Sequence, residues 1–218
     1  MFLTTLIKYY AILVSILAIS FGHAQDWQLV WSDEFDGNGA INSTNWFHQT
    51  QLPLGWGWYN GEVQHYTDRI DNSYVSNGTL KIVAKKETYT DQGHTKEYTS
   101  ARLNSKYAFT YGKVEIRAKL PQGFGTWPAI WMLPTDEKYG PWAASGEIDI
   151  VELNGNRPSE LLGTLHYGGK WPHNRSSGSK TKLTKGTFAD QFHNFGIEWS
   201  KGEVRWILDG KTWQTKKK

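Results

Sequence analysis

Gly146-Glu147-Ile148-Asp149-Ile150-Val151-Glu152 sets three carboxylates within six residues, separated only by isoleucine and valine. β-Branched residues at that density specify a strand, whose side chains alternate between two faces. Glu147 and Asp149 then share one face, while Ile148 and Ile150 point into a core. Strict alternation would carry Glu152 inward with the isoleucines, where an unpaired carboxylate is costly or is forced to take up a proton. One extra residue in a β-bulge resets the register and returns Glu152 to the face of Glu147. The stretch therefore predicts a bulged strand with all three acids on one side.

Three adjacent carboxylates repel one another, so their grouping points to chemistry rather than to stability. Two glutamates about two strand positions apart bring their carboxyl groups to roughly 5–5.5 Å, the separation that retaining glycoside hydrolysis requires. One would attack the anomeric carbon and the other protonate the leaving oxygen. Asp149, between them, is placed to share a proton with the nucleophile and set its pKa. A solvated acidic edge or a calcium loop also carries clustered acids. Calcium loops, however, interleave their ligands with glycine and asparagine rather than with isoleucine and valine.

The remainder of the chain reads as all-β. From Trp27 onward no helical periodicity of any length appears; short alternating runs are punctuated by Gly, Asn and Asp, the pattern of a sandwich or barrel. Trp27–Trp31, Thr79–Lys85, Phe192–Trp199 and Glu203–Gly210 read as strands. Lys113–Lys119 alternates cleanly between apolar and charged residues, as a half-solvated antiparallel strand does. The 218 residues, with no internal repeat, suit one such domain. Twelve tryptophans and eleven tyrosines exceed what a core of this size needs, and surplus aromatics line grooves that stack flat apolar faces such as sugar rings. In Gly125-Thr126-Trp127-Pro128-Ala129-Ile130-Trp131-Met132, Trp127 and Trp131 share a strand face, with Ile130 and Met132 on the other. That arrangement predicts a sugar-stacking platform. Glycines interleave with tryptophans again in Gly55-Trp56-Gly57-Trp58, where rings can stand out from a loop.

Met1–Ala24 has the form of a secretory leader. Lys8 supplies the charge, Ala11–Phe21 an apolar run too short to span a bilayer, and Gly22-His23-Ala24 a small-residue cleavage site. The mature domain is expected over residues 25–218, secreted to the exterior or periplasm, without a membrane association after cleavage. With no cysteine, it folds without disulfides. A net charge of +3, with lysines scattered except at the C-terminus, is too small to imply a nucleic-acid partner, and none is expected.

Glu-Ile-Asp-Ile-Val-Glu preceded by Trp142-Ala143-Ala144-Ser145-Gly146 resembles the signature of glycoside hydrolase family 16. The additional residue before the last Glu is that of its laminarinase-like branch, the endo-β-1,3-glucanases. Thr99-Ser100-Ala101-Arg102, Trp127-Pro128-Ala129-Ile130-Trp131-Met132-Leu133-Pro134 and His166-Tyr167-Gly168-Gly169-Lys170-Trp171-Pro172 resemble other segments of the same family. The likeness runs over residues 27–213. It implies a two-sheet antiparallel jelly-roll sandwich of the concanavalin A-like type, acting as a monomer on a β-1,3-glucan. By this resemblance Glu147 is the nucleophile, Glu152 the general acid/base and Asp149 the assistant of Glu147. Asn60 and Glu62, in an Asn-x-Glu-x-Gln segment, Arg102, and His166 and Trp171 join Trp127 and Trp131 as substrate contacts. Asp33-Glu34-Phe35 resembles a segment near a structural calcium site in some members, which makes Glu34 a metal candidate; catalysis itself would need no cofactor. Family members continue past Asp209-Gly210 with further strands, so the resemblance also implies a fragment lacking the last quarter, and an inactive one is a competing expectation. Other glycanases of the family (agarase, porphyranase, carrageenase, mixed-linkage glucanase) and a non-catalytic glucan-binding protein are the alternatives. Recognition relatives have lost the catalytic glutamates that this chain keeps.

Overall fold

The computed structural model describes residues 27–218, and the leader-like Met1–Ala24 lies outside the described residues. Trp27–Trp31 forms no strand. Alternation orients side chains, but a strand also needs a hydrogen-bonded neighbour. From Trp31 to Lys218 the chain is one unit of β-structure.

Seven strands come first: β1 (Trp46–His48), β2 (His65–Tyr66), β3 (Ser73–Ser76), β4 (Thr79–Ile82), β5 (Lys85–Asp91), β6 (His94–Ser100) and β7 (Leu103–Ser105). β1 pairs with β7 and β3 with β4, while β2, β6 and β5 form a small sheet in that order. Eight more strands follow. They are β8 (Gly112–Ala118), β9 (Ala129–Met132), β10 (Glu147–Glu152), β11 (Glu160–Tyr167), β12 (Arg175–Lys182), β13 (His193–Ser200), β14 (Glu203–Leu208) and β15 (Lys211–Lys217). These make two four-stranded antiparallel sheets, ordered β12-β11-β10-β9 and β15-β14-β13-β8.

The hairpins β3-β4, β5-β6 and β14-β15 turn through Asn77-Gly78, Gln92-Gly93 and Asp209-Gly210, each with positive φ at both central residues. That is the two-residue turn whose twist matches the strands it joins. The alternation of β8 is as expected: Val114 and Ile116 pack inward and Lys113, Glu115 and Arg117 face water.

The core lies between the two long sheets. Ile150, Val151 and Leu161 from one meet Phe195, Ile197, Val204 and Trp206 from the other. Each fully buried side chain of this size contributes roughly 1.5–3 kcal/mol relative to exposure. At its centre Trp206 is wholly buried, and Gly163 on β11 leaves room for it. A Cβ on Gly163 would stand 2.6 Å from the Trp206 ring. The sandwich expected from the alternating pattern is therefore present. Its β12-β11-β10-β9 sheet turns one face to this core and the other to the candidate site.

Candidate active site

The predicted bulge is present in β10. Against β11, Asp149 pairs with Thr164 but Glu152 with Leu162, so three steps on β10 match two on its neighbour. Against β9 the shift falls between Asp149 and Val151. Consecutive residues Ile150 and Val151 are consequently both buried in the core, 3% and 0% exposed, which regular alternation forbids. Glu147, Asp149 and Glu152 are left on the opposite face, in rows with His166, Thr164 and Leu162.

The bulge also frees a main-chain carbonyl, and the far sheet occupies it. Trp206 Nε1–H donates to the Asp149 carbonyl oxygen at 2.8 Å across the core. A buried carbonyl without a partner would cost about 1–3 kcal/mol, so this bond stabilises the distorted strand.

The three carboxyl groups lie in unequal surroundings. Burial, followed by the Glu147 and Glu152 carboxylates, pushes Asp149 up to about 8. Its side chain also hydrogen-bonds Glu147 and lies 3.2 Å from His166 Nε2. Burial, then the Glu147 carboxylate, raises Glu152, against a hydrogen bond from Trp127 that lowers it. Glu147 accepts a hydrogen bond from Trp142 Nε1–H. Glu147 is thus held by a hydrogen-bond donor, while burial pushes both of its neighbours upward.

The predicted aromatic and basic residues fall on both sides of this row. Trp131 pairs in register with Asp149, and the Arg102 guanidinium lies 4.5 Å from its ring centre and 5.3 Å from that of Trp58. Arg102 sits in the two-residue break between β6 and β7 rather than within a strand. Trp58 meets Tyr66 edge-on at 4.7 Å, and the Tyr66 hydroxyl donates to Glu62 at 2.7 Å. Glu62 accepts from Gln64 as well, at 2.9 Å. An unbroken path of contacts therefore leads from Glu62 to Asp149. On the other side His166 and Trp171 each pack against Trp142, with ring centres 5.4 and 6.4 Å apart. Trp127, just ahead of β9, is 56% exposed beside Glu152.

Asn60 shares the turn that leads to Glu62, with φ of 59°, and its exposed side chain has no protein partner among the described residues. Glu34 is exposed too. Its neighbour Asp33 is the engaged acid, accepting from Asn45, Trp46 and the Phe35 amide. Among the described residues no three His, Asp or Glu side chains converge at metal-binding spacing.

Trp142, Trp58 and Tyr66 belong to the site although nothing in their types alone assigned them. Trp142 had a signal in standing five residues before Glu147. The Gly-Trp-Gly-Trp loop divides its rings: Trp56 is 65% exposed and Trp58 is buried under Arg102. Two donors, Arg102 Nε and Trp58 Nε1, and the His166 ring nitrogen Nδ1 are buried without a protein partner among the described residues. Unpaired buried donors call for an acceptor from water or substrate.

Comparison with known proteins agrees with this geometry. The profile of glycosyl hydrolases family 16 matches residues 60–218. The chain is 42% identical over 194 residues to the glucan endo-1,3-beta-glucosidase A1 of Niallia circulans, covering 84% of this chain and 28% of that protein. It is 44% identical to the beta-glucanase of Rhodothermus marinus, covering 85% of this chain and 64% of the relative. It therefore spans less than two thirds of the length of either. Among solved structures, LamAcat from Zobellia galactanivorans superposes with a TM-score of 0.79 at 44% identity, over 87% of this chain and 79% of that one. The catalytic domain of an endo-1,3-beta-glucanase (laminarinase) from Thermotoga petrophila gives 0.80 at 41%, over 88% and 77%. With the bulged acidic strand, the sandwich and these likenesses together, the chain belongs to glycosyl hydrolases family 16.

Proposed function

We propose that this chain carries the site of a retaining endo-β-1,3-glucan hydrolase, with Glu147 as nucleophile and Glu152 as general acid/base. The observation that carries the reading is the bulge, which puts three carboxyl groups on one face in unequal surroundings. Glu147, held by the Trp142 N–H, attacks the anomeric carbon. Glu152, raised by burial, gives its proton to the departing glycosidic oxygen as the carbon–oxygen bond breaks. A glycosyl ester on Glu147 results. Glu152, now ionised, takes a proton from water as the water oxygen attacks the same carbon and Glu147 leaves. Two inversions retain the β configuration. Asp149, neutral below about pH 8, donates to Glu147 and steadies it between the two steps. Trp131 and Trp127 offer ring faces for stacking, Arg102 offers donors to sugar hydroxyls, and His166 offers a ring nitrogen. No cofactor takes part. Likeness to laminarinases favours β-1,3-glucan over agar or mixed-linkage glucan, and the leader-like Met1–Ala24 supports export to where polysaccharides lie.

The test uses laminarin with small-anion rescue. Glu147→Ala is expected to lose turnover on laminarin and to recover with azide, giving the α-glycosyl azide from an activated substrate. Glu152→Ala should recover with the same anion to give the β-glycosyl azide. Exchanged stereochemistry would reverse the two roles. Glu147→Gln retaining most of its activity would discard the assignment, and cleavage of agarose or mixed-linkage glucan but not laminarin would discard the substrate.

A further inference from the structure

Phe124, in the connection from β8 to β9, is 95% exposed, more than any other large apolar side chain among the described residues. Its loop is nevertheless closely tied. Pairing between β9 and β10 runs on past the strand ends, with Leu153 N–H donating to the Pro128 carbonyl at 3.1 Å and Gly155 N–H to that of Thr126 at 2.9 Å. Gly123 N–H then donates to the Gly155 carbonyl at 3.1 Å, and the Thr126 amide and hydroxyl donate back to the Gly123 carbonyl at 3.2 and 2.9 Å. Residue 155 must be glycine for this clamp to close, because a Cβ there would stand 1.9 Å from Thr126 Oγ1 and 2.4 Å from the Gly123 carbonyl oxygen. Gly123 and Gly125, either side of the ring, have φ of 137° and 81°, conformations that favour glycine.

The clamp puts this ring at the Glu152 end of the site. Glu152 pairs with Ala129, so Trp127 and Asn154, two residues further out on each strand, stand on its face, while Leu153 turns into the core. Trp127 hydrogen-bonds Glu152 and, with Asn154, walls a cavity of about 220 Å³ beside it. Gly155, which holds the Phe124 turn, is three positions past Glu152, about 10 Å along the strand. Trp127 and then Phe124 therefore lead away from the carboxyl row on the side opposite Glu147. Single exposed apolar side chains are common on protein surfaces; a ring held on a clamped turn in line with a catalytic candidate is a narrower case. Phe124 buries too little to stabilise the fold, and its clamped backbone needs little ordering when a ligand covers the ring.

We infer that Phe124 is a contact for the departing part of the glucan chain, beyond the sugar received at Trp127 and Asn154, and that it sets the chain length favoured on that side. The inference rests on the assignment of Glu147 as nucleophile and Glu152 as proton donor. Attack and departure take place on opposite sides of the anomeric carbon, so the departing chain leaves toward Glu152 and the Trp127 end. A glucosyl ring presents an apolar C–H face that an aromatic ring can cover. The preference this confers is separate from the Arg102–Trp131 side of the cleft.

Two substrates separate this role from a structural one. Laminarihexaose places sugars on the departing side, whereas a nitrophenyl β-laminaritrioside releases only a nitrophenol, too short to reach Phe124. Phe124→Ala is expected to lower kcat/KM for the hexaose about tenfold relative to the nitrophenyl glycoside. Cleavage of a hexaose labelled at its reducing end should shift toward shorter departing fragments. Phe124→Trp should restore the ratio, and Phe124→Leu only part of it. Calorimetric titration of laminarihexaose into Glu147→Gln, with and without Phe124→Ala, should show the same loss without turnover. The melting temperature of Phe124→Ala should not move. An unchanged ratio and cleavage pattern, or an equal fall on both substrates, overturns the inference while leaving the proposed activity in place. If the parent does not cleave laminarihexaose and Glu147→Gln does not bind it, the proposed activity falls and the inference falls with it.

Discussion

Trp206, on β14 of the sheet remote from the cleft, donates its indole N–H to the main-chain carbonyl of Asp149 at 2.8 Å. The two residues are 57 positions apart in sequence, and their bond crosses the whole core. It ties the packing of one sheet to the bulge that sets the face of Glu152 in the other.

Trp206→Phe keeps most of the apolar bulk but leaves the Asp149 carbonyl buried without a donor. Expected is a loss of about 1–3 kcal/mol in unfolding free energy from the orphaned carbonyl. Turnover should fall more than the remaining folded fraction explains, because the bulge positions Glu152. Urea melts beside kcat on laminarin check this. Stability lost without any loss of kcat in folded protein would mean that the bulge holds its shape unaided.

The bulge itself was legible because the apolar pattern breaks period: Ile148, Ile150 and Val151 cannot all face a core on a regular strand, and Glu152 cannot follow them. The sandwich was legible from alternation and from turn residues such as Asp209-Gly210. Cross-sheet relationships were not. Nothing local in Val204-Arg205-Trp206 says that its indole nitrogen reaches β10, since that contact depends on sheet packing and on the space left by Gly163. The division of Trp56 from Trp58 was likewise hidden, because the two rings occupy equivalent places in a repeating Gly-Trp pattern. The placement of Arg102 was hidden too: it lies at a break between two strands, where its guanidinium can reach both Trp58 and Trp131. Trp27–Trp31 alternates as well as any strand in the chain and forms none.

Asp149 makes stability depend on pH in an unusual direction for an aspartate. Its pKa in the folded protein is raised to about 8 from 3.8. Its favourable contribution is therefore fully present below the unfolded value, and is lost as pH rises through the folded one. Asp149→Asn cannot ionise and should remove that slope. The variant is expected to gain stability relative to the parent as pH rises from about 4 to 8, with a plateau above. Each tenfold difference in proton affinity between the folded and unfolded chain is worth about 1.4 kcal/mol, so a gain on the order of a few kcal/mol at pH 9 is expected, and none at pH 3. Unfolding curves at these two pH values measure it. A gain that is equal at both would assign the effect to packing and not to the proton.

Arg102 separates stacking from charge. Its guanidinium lies over Trp131 at 4.5 Å and over Trp58 at 5.3 Å, while its buried Nε has no protein partner among the described residues. Lysine at this position keeps the positive charge but has neither a plane to lie between two rings nor the Nε donor. If Arg102 serves substrate, Arg102→Lys should raise KM for laminari-oligosaccharides about tenfold, the equivalent of roughly 1.4 kcal/mol, with kcat changed less. Its melting temperature should fall only modestly, since cation–π contacts contribute about 0.5–1 kcal/mol each at exposed sites and about 2 kcal/mol where desolvated, as over the buried Trp58 ring. Unchanged KM with a large drop in melting temperature would make Arg102 a structural clamp between β9 and the Trp58 loop. That outcome would also leave the sugar stacked on Trp131 without a hydrogen-bond donor above the ring. The donor would then have to come from elsewhere in the cleft, where Trp58 Nε1 and the His166 ring nitrogen Nδ1 are also buried without a protein partner among the described residues.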